Sequence, residues 1–166
     1  MNVLKYILTR SLPKTGQSTV YVAGDDGDYQ KGWWKNKTLA DNKVRFIDNG
    51  NDTITDRATG LMWEKVPSPT NKVFFGWIGY AKALTLGGYT DWRVPNINEL
   101  SSLVNYSNFY NAAYLPFFTN ITYMIYVSST TYAIFNDYIW CIEFYDGISR
   151  TVLGSNSYRC ICCRTI

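Results

Sequence analysis

Two runs of alternating character meet at Asp146-Gly147, and they constrain the fold more tightly than any other segment. Residues 139–145 and 148–153 flank a dipeptide favoured as the two-residue connection between antiparallel strands. A tight turn there sets the register: Tyr145 opposite Ile148, Glu143 opposite Arg150 as an opposite-charge pair, and Cys141 opposite Val152. Those six side chains share one side, expected to face outward. Trp140, Ile142, Phe144, Ser149, Thr151 and Leu153 take the other, and its apolar bulk marks it as the inward side.

Upstream, residues 44–56 alternate around Asn49-Gly50, a second hairpin signal. Asp48, Asp52 and Asp56 invite a calcium reading, but the stretch lacks the Glu that closes a helix-loop-helix site, so a turn is the simpler account. Asp25, Asp26 and Asp28 form a similar acidic turn cluster, read as a solvated loop. From 77 to 86, Trp77, Tyr80, Ala81 and Leu84 recur at helical spacing, with Gly87-Gly88 as the stop. A second helix is expected over 96–103, entered through Pro95, with Asn96 as cap and Glu99 completing a capping box.

The length, 166 residues, suits one domain with one core. Residues 1–11 read as an N-terminal extension, and 12–166 as the domain. Aromatics make up 17% of the chain, with fourteen Tyr and six Trp; tyrosine gives contact area at low entropic cost, a property of binding surfaces. The net charge is +3, yet all nine Lys lie at or before Lys82 and no basic residue stands between Arg93 and Arg150. Nucleic acid is therefore not an expected partner of this region, because phosphate binding needs clustered Lys and Arg.

Histidine is absent, which removes the commonest general base and zinc ligand. Cys160-x-Cys162-Cys163 is too tightly spaced for a zinc knuckle. Free thiols, or one strand-bridging disulfide from Cys141, remain open. No catalytic residue, metal or cofactor is expected, and the chain reads as a binding module and not an enzyme. No apolar run reaches membrane-spanning length and residues 1–8 are too short for a signal core, so membrane insertion is not expected.

Several segments together resemble a known family. Asp48-Asn49-Gly50, Thr53-Ile54-Thr55-Asp56, Thr59-Gly60-Leu61-Met62-Trp63-Glu64-Lys65, Gly87-Gly88-Tyr89-Thr90-Asp91-Trp92-Arg93-Val94-Pro95-Asn96, Ser128-Ser129-Thr130-Thr131-Tyr132, Trp140 and Arg159-Cys160 occur in that order. This is similar to the Lcl C-terminal domain family, over roughly residues 12–164. The resemblance implies an α+β, C-type-lectin-like fold: a small twisted antiparallel sheet, two helices and long irregular loops. It also implies a sugar- or protein-binding module, in some members diversified by a retroelement that miscopies template adenines. Such miscopying never yields Lys, Gln, Glu, Met or Trp.

Between 125 and 166 only Trp140 and Glu143 belong to that unreachable set, where ordinary usage gives roughly eight. Residues 125–164 are therefore the candidate variable region. Val127 stands where members often carry Trp, and Cys162 and Cys163 disturb the closing Arg-Cys segment. Exposed positions tolerate change within about ±0.5 kcal/mol, whereas inward ones open cavities. The expected ligand-binding set is Tyr126, Ile134, Phe135, Asp137, Cys141, Tyr145, Ile148, Arg150, Val152 and Leu153, though the register turns Leu153 inward. Trp63, Tyr89, Trp92 and Trp140 are read as scaffold, and Asp91 and Arg93 as structural ion-pair or hydrogen-bonding groups. The expected partner is a protein or glycan, met through display on a virion or cell surface; a fixed-specificity carbohydrate adhesin is the alternative. The sequence does not decide the oligomeric state.

Overall fold

A computed structural model of the chain describes residues 12–30, 32, 45–108, 110, 113, 117–118, 121–122 and 124–166. The proposed N-terminal extension, 1–11, lies outside these. The elements run α1 (Asp26–Tyr29), β1 (Phe46–Asp48), β2 (Thr53–Asp56), β3 (Leu61–Glu64), α2 (Phe74–Ala83), α3 (Ile97–Ser101), β4 (Ile125–Thr131), β5 (Tyr138–Glu143), β6 (Ile148–Leu153) and β7 (Cys163–Thr165). It is a small mixed α/β protein. Where one antiparallel sheet is expected there are two, ordered β1-β2-β3-β7 and β4-β5-β6.

The closing segment joins the sheets. Arg159 bridges Tyr126 on β4 in parallel, and a few residues later β7 pairs with β3. Its side chains alternate between two apolar clusters. Ile161 and Cys163 join Phe46, Ile54, Trp63, Leu100, Phe118, Tyr126, Ile142 and Phe144; Cys160 and Cys162 join Met62, Trp77, Trp92, Val127, Ile139 and Cys141. Strand β3 divides the same way, Leu61 and Trp63 to the first cluster and Met62 to the second. Central strands are thus covered on both faces, so single-strand alternation does not tell inside from outside.

Local signals explain the connections. Asn96 accepts from the Glu99 amide (2.9 Å) and Glu99 accepts from the Asn96 amide (2.8 Å), the expected capping box. Glu99 also takes both terminal nitrogens of Arg93 at 2.7 Å, and Asp91 pairs with Arg164 at 2.6 Å; both expected structural roles hold. Helix α2 ends at Ala83, ahead of the expected glycine stop. Gly87 and Gly88, at φ +61° and +84°, instead form a turn closed by the Leu86–Tyr89 bridge. A Cβ on Gly87 would lie 2.8 Å from Thr53 Cγ2, so only glycine fits there.

The acidic residues serve local structure. Asp25 caps α1 through the Asp28 amide (3.1 Å), Asp48 pairs with Lys65 at 2.6 Å, and Asp56 meets Arg45. Among the described residues no group of three or more acidic or thiol side chains is placed to hold a metal ion, and no helix is long and apolar enough to cross a membrane.

Glu64 is 1% exposed and has no cationic partner among the described residues. The Tyr80 hydroxyl (2.8 Å) and the Cys162 amide (2.6 Å) donate to its two oxygens. Burial dominates and raises its carboxyl above the usual value of 4.5. Below that value folded and unfolded chains both carry the proton. As pH climbs, the unfolded carboxyl ionises first, so folding stability falls until the folded pKa is passed. Glu64→Gln removes this pH-dependent penalty, at a fixed cost because an amide oxygen accepts only one of the two donors in place. Urea unfolding across a pH series should show the variant gaining on the native chain as pH rises above 4.5. A constant difference between the two proteins would refute the assignment.

Candidate functional site

Strands β5 and β6 form the expected hairpin with a different register. Glu143 lies opposite Ile148, Cys141 opposite Arg150 and Ile139 opposite Val152. The connection is four residues, 144–147, closed by the Gly147 amide on the Glu143 carbonyl (2.8 Å), with Gly147 at φ +77°. Core packing accounts for the longer turn. Phe144, 0% exposed, leaves the ladder to meet Tyr126 edge-on at 5.3 Å. The offset from the expected pairing is two residues, so every side chain keeps its side of the ribbon. The Glu143–Arg150 ion pair forms at 2.6 Å, and Asp146 adds a second carboxylate at 2.6 Å.

Each side is covered over only part of its length. On the side of Ile139, Cys141 and Val152, helix α2 packs through Trp77 and Phe74. Cys141 is consequently 0% exposed, its thiol 3.4 Å from the Arg150 carbonyl and pushed up to about 11 by burial. The outward placement of Cys141 is thus overturned, and Val152 is half-buried against the same cluster. Tyr126, 1% exposed, stands opposite Ile142 on β4 and faces the first core cluster, so it too lies off the surface. All four cysteines are buried and free. The Cys162 thiol is raised by its hydrogen bond with Cys160 and by burial, and that of Cys163 by burial.

The remaining predicted residues separate into two groups. Tyr145, Ile148 and Arg150 gather at the 144–147 turn, where Ile148 is 49% exposed and Tyr145 meets Tyr110 edge-on at 4.9 Å. Ile134, Phe135, Asp137 and Leu153 gather at the opposite end. The length of β5 between them is roughly 17 Å at strand rise. The predicted residues that reach the surface therefore lie in two separate patches, where the sequence reading expects one.

Beside the second group lies Trp140, which alternation assigns to the interior. Tyr138, Trp140 and Ile142 share a side; Ile142 is buried, and Trp140 and Tyr138 are only half-buried. Trp140 meets Tyr132 edge-on at 5.5 Å, Tyr132 lies 6.2 Å from Phe135, and Phe135 lies 6.0 Å from Tyr138. Phe135 and Ile134 are 59% and 69% exposed at the edge of this cluster. The Gly154 amide donates to the Asp137 carbonyl (2.8 Å), and the Gly154 carbonyl accepts from the Phe74 amide (3.0 Å). That junction fixes the aromatic end against the start of α2, where Phe75 is 80% exposed. The available sequence signal is the aromatic density of residues 132–140. Tyr89, also read as scaffold, is 38% exposed beneath the Arg164 guanidinium, 4.0 Å from its ring centre; Trp63 and Trp92 are core as expected.

One end of the sheet thus carries half-exposed rings, and the far turn carries the Arg150 guanidinium held by Glu143 and Asp146. No curated protein matches this chain. A model of the family described as Lcl C-terminal domain matches residues 52–164, more than half of the 166 residues, and the chain belongs to that family.

Proposed function

We propose that this is a ligand-binding, receptor- or adhesin-type module of C-type-lectin-like architecture, not an enzyme, which recognises a protein or glycan through the aromatic end of the β4-β5-β6 sheet. The observation that carries this reading is the exposure of Ile134 and Phe135 at the edge of a four-ring cluster. Large apolar side chains gathered on a surface favour a partner that covers them, and rings with a polar edge suit both protein and sugar contacts. Residues 125–164 are the segment diversified by a retroelement, and display is on a virion or cell surface.

Sibling gene copies and the neighbouring genome test the reading. Substitutions are expected at Ile134, Phe135, Asp137, Tyr145, Ile148 and Arg150, and not at Ile139, Cys141, Ile142 or Phe144, where volume changes cost several kcal/mol. A template repeat differing at adenines and a reverse transcriptase gene should lie nearby. Substitutions spread evenly over buried and exposed positions would defeat the proposal. Invariance at all six exposed positions, with glycan binding common to every sibling, would favour the fixed-specificity adhesin.

A further inference from the structure

We propose that the free edge of the β4-β5-β6 sheet is an interface with a second copy of this chain, in which two β6 strands pair antiparallel about a two-fold axis at Thr151. The opposite edge is taken: Arg159 exchanges backbone hydrogen bonds with Ile125 and Val127 of β4 (3.1 and 2.9 Å), and the Pro95 carbonyl accepts from the Ser129 amide (2.7 Å). No other strand or bridge pairs with the outer side of β6 among the described residues. The Gly154 amide donates to the Asp137 carbonyl, so in the same ladder residues 152, 150 and 148 turn their backbone groups toward β5. The amides and carbonyls of Ser149, Thr151 and Leu153 therefore point away from the sheet. Of these groups, the Leu153 carbonyl accepts from the Asn156 amide at 3.2 Å, and the rest form a regular unpaired edge.

Such an edge accepts a further strand unless Pro, Lys or a bulge blunts it. Residues 148–153 hold neither Pro nor Lys, and all six pair with β5 in one unbroken register; the β4–β5 ladder, by contrast, shifts between Val127 and Thr131. The one charge on β6, Arg150, is held by Glu143 and Asp146 of its own copy, so two edges meet without an unopposed cation. Side chains select the occupant and the axis. Opposed residues of an antiparallel pair share a side, and outward-bonding residues must meet each other, so the axis passes through one residue of the strand. At Arg150 it would set two guanidinium groups directly opposite, which is unfavourable. At Val152 it would carry the ladder past Leu153 into the turn where Gly154 accepts from Phe74. At Thr151 it opposes two threonines, a favourable cross-strand pair, and sets Arg150 opposite Val152 and Ser149 opposite Leu153. A foreign strand can make the backbone bonds, but this side-chain match belongs to the chain itself. Trp140 is the β5 neighbour of Thr151, so pairing lines up the half-buried tryptophans of two copies on one face of a six-stranded sheet.

Five paired residues per strand form a contact below the ~1,200 Å² of stable complexes, so a dissociation constant on the order of 100 μM is expected. Sedimentation velocity of the full chain up to about 500 μM should show a monomer–dimer equilibrium. Thr151→Pro keeps every bond to β5, because the N–H it loses points outward, and should weaken dimerisation by about tenfold or more. Thr151→Lys should do the same by opposing two ammonium groups at the axis, which keeps the test decisive if the proline variant misfolds. The axis itself is read by Thr151→Cys. Its Cα atoms would face each other at about 5.5 Å, within disulfide reach, so mild oxidation should link two copies, whereas Ser149→Cys, two residues off the axis, should not link. A chain monomeric at about 500 μM, association as trimers, association unchanged by both Thr151→Pro and Thr151→Lys, or cross-linking of Ser149→Cys but not of Thr151→Cys would overturn the proposal. None of these results bears on the aromatic face, which the sibling sequences test separately.

Discussion

Asp56→Ala is expected to destabilise the protein by about 3–5 kcal/mol, because it strands a buried guanidinium. Arg45 and Asp56 are both 0% exposed. Arg45 Nε and Nη2 reach the two carboxylate oxygens at 2.9 and 2.8 Å, and Nη2 also donates to the Ser102 carbonyl at 2.8 Å. The pair therefore joins the first hairpin to the end of α3, with the guanidinium 4.4 Å from the Phe46 ring centre. Asp56 further accepts from the Ala58 amide at 3.0 Å, holding the β2–β3 turn. Removing the carboxylate leaves the cation in a medium where it cannot be rehydrated, and a loss of this size is a large part of a small domain's stability. The double variant Arg45→Met, Asp56→Leu should recover much of the loss, since neither charge then needs a partner. Urea unfolding of the native chain and both variants decides it: a cost below about 1 kcal/mol for Asp56→Ala would mean that water reaches Arg45.

The sequence carries the local devices of this fold well. Asn96 and Glu99 announce a cap, Trp77 and Ala81 mark the buried stripe of α2, and Asp146-Gly147 marks the hairpin between β5 and β6. Those signals act over four residues or fewer, and the groups involved have few other ways to satisfy their backbone bonds. What local pattern does not carry is which face of a strand another element covers. Cys141 and Ile142 are adjacent and both buried, because α2 packs on one side of β5 and α3 with the first core cluster on the other. Trp140 is larger than Cys141, yet it remains half in solvent beside Tyr132. The register differs from the turn-based expectation for the same reason: β6 finds six partners in either register, and the observed one also seats Phe144 in the core beside Tyr126. Because the shift is by two, the side assignment survives while the burial assignment does not.

Trp77 is where that tertiary cover can be removed with one substitution. Its side chain is 0% exposed, its indole N–H donates to the Tyr158 carbonyl at 2.9 Å, and its ring meets Tyr80 edge-on at 5.2 Å. It fills the space between α2 and the side of the sheet that carries Val127, Ile139 and Cys141. Trp77→Ala is expected to cost about 3–5 kcal/mol, and Trp77→Phe appreciably less, because most of the ring volume stays and the Tyr158 carbonyl still accepts from Lys72. The location of the loosening discriminates more sharply than its size. The sheet that bears Tyr138 and Trp140 on its other face is braced by this contact, so amide exchange in β5 and β6 should accelerate more than in β1 and β2, whose cluster Trp77 does not join. Uniform acceleration across both sheets would show that Trp77 supports the whole domain equally. Selective acceleration would establish that the aromatic face owes its rigidity to a tryptophan on the opposite side of the sheet.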